Sequence, residues 1–185
     1  MKKTTKEILI ESFRELSEQK AIDKITIKEI TDNCGYSPAT FYRQFKDKYD
    51  MIAYDYTLEI KALQSRFDGS EQSRKQSLID VSFFFQNNKE YLSNLFIYTS
   101  GYDSFVVYME EKNLEIFTII ILNSCKEIDG KTSMLVRSYV LGTIQITCQW
   151  TVDNLPVDAK TMAEIYDEAL PEAIRHLMFQ KLERF

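Results

Sequence analysis

Glycine and proline are scarce in this chain, at five and three of 185 residues. Strands joined by tight turns need more of both, so the scarcity points to long helices. Cysteine is too sparse for a disulfide or zinc framework. Cys34, Cys125 and Cys148 are odd in number and widely spaced, which predicts reduced thiols in a cytoplasmic protein. Cys125 and Cys148 read as small buried hydrophobes. Only one histidine occurs, His176, expected at the surface or the interface of the last helix. With no phosphate loop, no metal-ligand cluster and no nucleophile beside a base, the sequence implies no catalytic residue, no metal and no cofactor. No apolar run approaches the ~18 residues that span a bilayer, so no membrane partner is expected. The opening MKKTTKEILIESF is interrupted by polar and acidic positions too soon for a signal peptide.

Positive charge is also in short supply, with a net charge of −5. The deficit is uneven: residues 1–50 hold ten Lys and Arg against nine Asp and Glu, the rest thirteen against nineteen. Any nucleic-acid contact is therefore confined to the N-terminal piece, where charge placement matters more than charge sum.

That piece reads as three helices. Thr4 with Glu7 forms a capping box, and Leu9, Phe13 and Leu16 recur as one buried stripe. Thr26 with Glu29 forms a second box, flanked by the staple pair Ile25 and Ile30, and Gly35 suits a left-handed stop. Ser37 then caps a third helix with Pro38 at its first position, and Tyr36 and Phe41 repeat the staple spacing. At 100° per residue, Pro38, Phe41 and Phe45 fall on one side with Tyr42 at its edge. Ala39, Thr40, Arg43 and Gln44 fall on the other.

Two short helices joined by a tight glycine turn, the second with a small polar face, describe a helix-turn-helix. Its second helix enters the major groove of double-stranded DNA. Ala39 and Thr40 can meet a thymine methyl, and Arg43 and Gln44 suit guanine and adenine edges. Helix N-termini beside Thr26 and Ser37 are places for phosphate, and Tyr42, Lys28 and Lys48 would add contacts to the backbone. The stretch TIKEITDNCGYSPATFYRQFKDKYDMI resembles the DNA-binding motif of the TetR family of bacterial transcriptional regulators. Thr26, Ile30, Gly35, Ser37, Thr40, Tyr42, Phe45 and Lys48 match in register. Thr31, Cys34 and Tyr36 depart from the usual smaller residues. The resemblance covers roughly the first 55 residues. It implies DNA contacts from Thr26, Lys28, Ser37, Thr40, Tyr42 and Lys48, with Pro38, Ala39, Arg43 and Gln44 facing the groove.

The remaining residues predict an all-α body: a helix capped by Asp47 to about residue 67, then helices near 72–87, 89–99, 103–127, 131–153 and 159–183. Pro171 should break or kink the last one. The expected division by role is a DNA-binding head at 1–47 and an effector-binding and dimerisation body at 48–185. The helices around 103–127 and 131–153 carry more apolar surface than one stripe needs, which points to a homodimer. Leu141, Ile144, Trp150, Ala173 and Leu177 are its candidate contacts, and each equally fits intramolecular core. Phe84, Tyr98, Phe105, Tyr108, Phe117 and Trp150 could line a pocket for a small-molecule effector, with plain core as the alternative. The phrase FKDKYD and the Trp ahead of NLPVDAKTMAEIY are similar to the DhaS-like subgroup of the family, which implies activation through a co-regulator protein. Repression is the family's commoner mode. A helical small-molecule-binding protein with a non-functional head is the competing reading.

Overall fold

Hydroxyl side chains start each of the first three helices. In a computed structural model describing residues 3–64, 66–101, 104–125, 127–153 and 155–178, Thr4 caps α1 (Thr5–Ser17) and Thr26 caps α2 (Ile27–Asn33). Ser37 caps α3 (Pro38–Tyr42). Both capping boxes are closed: the amides of Thr4 and Thr26 donate to Glu7 Oε2 and Glu29 Oε2 at 2.7 and 2.9 Å. Each cap contributes about 1 kcal/mol to its helix. Asp47 caps α4 (Lys48–Gln64), its Oδ1 accepting from the amides of Tyr49 and Asp50 at 2.9 Å each.

Among the described residues, six helices follow: α5 (Glu71–Asn87), α6 (Lys89–Tyr98), α7 (Phe105–Ser124), α8 (Gly130–Asp153), α9 (Ala159–Ala169) and α10 (Glu172–Arg175). A 3-10 turn, Ile22–Lys24, lies between α1 and α2, and another, His176–Met178, follows α10. The fold is all-α, with no strand among the described residues. None of these helices is long and apolar enough to cross a membrane. The expected break at Pro171 is complete, because Leu170 is extended (ψ 118°) and the chain re-enters a helix only at Glu172. The predicted end of that helix, 179–183, lies outside the described residues.

Packing separates two compact units. One comprises Met1–Ile60 with Glu90–Phe105, the other Lys61–Lys89 with Val106–Phe185. The division by role, 1–47 and 48–185, is a separate matter, since it rests on what each part binds.

In the first unit, Leu9, Phe13, Ile22, Ile30, Phe41 and Leu95 are almost wholly buried. Each contributes roughly 1.5–3 kcal/mol by leaving water. A polar cluster lies beside them. Arg14 forks onto Asp55, Nε to Oδ2 at 2.9 Å and Nη2 to Oδ1 at 2.8 Å. The Tyr91 hydroxyl donates to Asp55 Oδ2 at 3.2 Å, tying α1, α4 and α6 together. Burial raises the Asp55 carboxyl against the pull of the guanidinium, and burial beside Asp55 sends the Tyr91 phenol well above its usual value.

In the second unit, α5 packs against α9 and α8. The Tyr139 hydroxyl donates to the Tyr166 carbonyl at 2.9 Å, and the hydroxyls of Tyr166 and Thr147 lie 2.5 Å apart. Asp167 accepts from Arg74 on α5 and from Arg175 Nη1 at 3.0 Å. Those bonds hold α5, α9 and α10 together across the Pro171 break.

Candidate nucleic-acid interface

The α2–α3 corner is a closed turn. Gly35 takes φ 74°, the left-handed region. Its amide donates to Asp32 O at 3.3 Å and the next amide, Tyr36, reaches back to Thr31 O at 2.8 Å. This pair of bonds is a Schellman motif and satisfies the Asp32 and Thr31 carbonyls at the end of α2. A Cβ at Gly35 would meet nothing within 4 Å, so the demand for glycine is conformational rather than steric. Thr31 and Cys34 satisfy themselves on their own helix. Thr31 Oγ1 donates to the carbonyls of Ile27 and Lys28, and Cys34 Sγ to that of Ile30 at 3.2 Å.

The corner is seated by aromatics. Phe41 is fully buried and Phe45 nearly so, their rings 5.8 Å apart. Although α3 ends at Tyr42, the Phe45 amide still bonds Phe41 O at 3.0 Å, so residues 43–45 keep a helical winding and their expected faces. Ala39 and Arg43 are exposed, while Thr40 and Gln44 are half-buried on the same outer side. Thr40 Oγ1 lies 3.1 Å from Ser37 Oγ. Tyr42 is 59% exposed, its ring set edge-on against Phe41. Pro38 departs from its expected place beside Phe41 and Phe45. It is exposed, because the first position of a five-residue helix lies at the open end, ahead of the core.

Around α2, Thr26 and Lys28 are exposed. The Lys28 ammonium pairs with Asp32 one turn on. Glu29 is held by the Thr26 amide and by Lys20 Nζ at 2.6 Å, and these bonds, Lys20 first, lower its carboxyl to about 2. The Lys48 ammonium, expected at a phosphate, is bonded to backbone of its own chain. It donates to the carbonyls of Ile22 at 2.8 Å, Asp23 at 3.1 Å and Ile25 at 2.9 Å. An ammonium has three donors, and all three are engaged.

Residues 9–54 match the profile of bacterial regulatory proteins, tetR family. The head belongs to that family. Solved structures extend the likeness of fold along the chain. The dihydroxyacetone kinase operon activator DhaS aligns with a TM-score of 0.65 at 13% identity, over 96% of this chain and 98% of that one. The fatty acid degradation regulator FadR from Bacillus halodurans gives 0.61 at 13%, over 95% and 99%. NalD, the secondary repressor of the MexAB-OprM multidrug efflux pump in Pseudomonas aeruginosa, gives 0.58 at 16%, over 90% and 94%. No curated protein matches the sequence.

The six candidate pocket residues divide between the two compact units. Phe105 is core of the first unit, against Tyr56 and Phe96 at ring distances of 5.2 and 5.6 Å, and Tyr98 of that unit is exposed. Phe84, Tyr108, Phe117 and Trp150 belong to the second unit. There Phe117 packs on Tyr139 at 5.4 Å, and buried Trp150 donates to the Val157 carbonyl at 2.7 Å. Of the dimer candidates, Ile144 and Trp150 are core within one chain, because both point to the side of α8 that packs inside the unit. Leu141 and Leu177 are half-buried and Ala173 is exposed.

Several residues that brace the interface were invisible to periodicity. Ser12 Oγ donates to Ile30 O at 2.7 Å, and Asn33 Nδ2 reaches Ser12 Oγ and Glu15 Oε2 at 3.1 and 3.0 Å, locking α2 onto α1. No sequence signal marks them, since they are polar residues meeting across helices.

Proposed function

We propose that the chain is a homodimeric, sequence-specific regulator of transcription that reads a palindromic double-stranded operator in the cytoplasm. The carrying observation is the outer face of α3. Thr40, Arg43 and Gln44 stand on it beside Ala39 and Pro38, backed by buried Phe41 and Phe45 on a tetR-type head. Small groups at the helix start allow close approach to the groove floor, and the longer Arg43 and Gln44 reach base edges. Tyr42, Ser37, Thr26 and Lys28, ringing that face, address the phosphates. Lys28 does so by exchanging Asp32 for a phosphate.

A two-fold dimer places two such faces on successive major grooves, roughly 34 Å apart. The exposed apolar side chains of α8, Met134, Ile146 and Val152, together with exposed Gly142 and with Ala169 and Ala173 near the C-terminus, supply the self-complementary surface. The body takes a small-molecule effector or a co-regulator protein, and a coupling of about 1–3 kcal/mol between body and head changes DNA affinity 5–150-fold. Repression, the family's commoner mode, is the reading adopted for its sign, with activation through a co-regulator protein as the alternative.

Selection from a pool of random duplexes tests the reading. A retained palindrome with two half-sites about one helical turn apart supports it. Retention without sequence preference refutes it. Transcription in vitro from a promoter carrying the palindrome separates repression from activation.

A further inference from the structure

We propose that Asn94, on α6, is a positioning residue for DNA binding, acting with Lys48 through the backbone of the α1–α2 connection. The inference rests on the DNA-reading function above.

The connection between α1 and α2 is gripped from two sides. Asn94 Nδ2 donates to the carbonyls of Ser17 at 2.7 Å and Lys20 at 2.9 Å, and Asn94 Oδ1 accepts from the Ile22 amide at 2.9 Å. Lys48 Nζ holds the carbonyls of Ile22, Asp23 and Ile25. Six bonds thus fix the nine residues from Ser17 to Ile25, and Ile22 is the shared link. Its N–H goes to Asn94, its C=O to Lys48, and its side chain is wholly buried.

The location gives the clamp its consequence. Ile25, the last residue held, directly precedes Thr26, the cap of α2. The 3-10 turn Ile22–Lys24 therefore sets where α2 begins relative to α1 and α4. Through the tight turn at Gly35, it sets where α3 presents Thr40, Arg43 and Gln44. An asparagine offers both a donor pair and an acceptor on one short planar group, which suits a strand of backbone presenting two carbonyls and one amide. Asn94 sits 72 residues beyond Ile22 in sequence, and its bonds go to Ser17, Lys20 and Ile22, which are not proposed DNA contacts. Its influence on the interface is geometric, because base contacts depend on helix placement to within a fraction of an ångström.

The test uses full-length wild type, Asn94→Ala, Asn94→Asp, Lys48→Met and the Asn94→Ala/Lys48→Met double variant. Each is measured at a temperature where circular dichroism shows it folded. The ligands are the duplex selected by the wild type and a scrambled duplex of the same length. Asn94→Ala should bind the selected duplex about tenfold more weakly, the equivalent of one lost base contact. It should bind the scrambled duplex within about twofold of wild type, with an unaltered salt slope, because no phosphate contact is removed. Hydrogen exchange at the Ile22 amide should quicken. Asn94→Asp keeps the acceptor for Ile22 but loses both carbonyl contacts. It should show the same selective loss, and it carries the test if the alanine variant does not fold. The double variant should lose no more than the larger single loss, since both act on one turn. Selected-duplex affinity within twofold of wild type in a folded Asn94 variant overturns the proposal while leaving DNA reading intact. Equal losses on both duplexes, or strictly additive losses, also overturn it. A wild type that selects no motif removes the DNA-reading function and this inference together.

Discussion

Lys48 decides between a contact borrowed from the TetR family and one seen in this fold. Replacing it with methionine keeps a stem of similar length and removes only the ammonium. Three bonds of 2.8, 3.1 and 2.9 Å disappear, leaving the carbonyls of Ile22, Asp23 and Ile25 without that donor. A hydrogen bond to a charged group contributes about 1.5–3 kcal/mol. Three bonds that share one cation are not additive, and the one at Asp23 is exposed and screened, so the expected loss of stability is about 2–3 kcal/mol. Urea unfolding followed by helical circular dichroism measures it as a fall in midpoint at unchanged slope. The salt dependence of DNA binding is the second readout. A lysine on a phosphate contributes a slope of about −0.9, and its removal would flatten the plot by that amount. Here the slope should not move. A Lys48→Met variant as stable as wild type to within about 0.5 kcal/mol, with the slope reduced by about one, would refute the reasoning.

Thr40→Ala and Gln44→Ala should each cost about 1–3 kcal/mol on the selected duplex and leave scrambled DNA untouched; equal losses on both would end the base-reading role. Arg14→Met leaves Asp55 buried without its fork and should destabilise the chain by about 3–5 kcal/mol in urea. A cost below about 1 kcal/mol would mean that Asp55 takes up a proton or water at little expense. The Glu29 carboxyl is lowered from 4.5 to about 2 by Lys20 and the Thr26 amide, so its contribution is present above the ordinary carboxylate range and lost as pH falls toward 2. The stability difference between wild type and Glu29→Gln should therefore shrink between pH 4.5 and 2; a difference constant across that window would show that Glu29 is not held as a carboxylate.

The caps of the first four helices, the glycine stop and the proline break were all legible in the sequence. They are contacts between residues no more than five apart, and helix geometry alone fixes which residues meet at that spacing. The apolar stripe of α1 and the division of α3 into a buried aromatic side and an outer polar side follow from the same periodicity. So does the resemblance of the head to the TetR family, whose register depends on those local signals.

Lys48 shows where local reading ends. Nothing within its own helix reveals that its ammonium turns to carbonyls 23 to 26 residues earlier. Asn94 and the Arg14–Asp55–Tyr91 cluster were equally silent, because a polar residue carries no period that points to a distant partner. From the sequence, Ile144 and Trp150 fit interface as much as core, and nothing in it says that the six pocket candidates divide between two units. The sequence by itself determined the helices, their ends and the outward face of α3, since backbone hydrogen bonding and amphipathic spacing are local properties. Only the tertiary structure decided which charges are engaged and which apolar faces are already covered. Those outcomes depend on side chains meeting across helices, and burial records that a residue leaves water without naming what it meets.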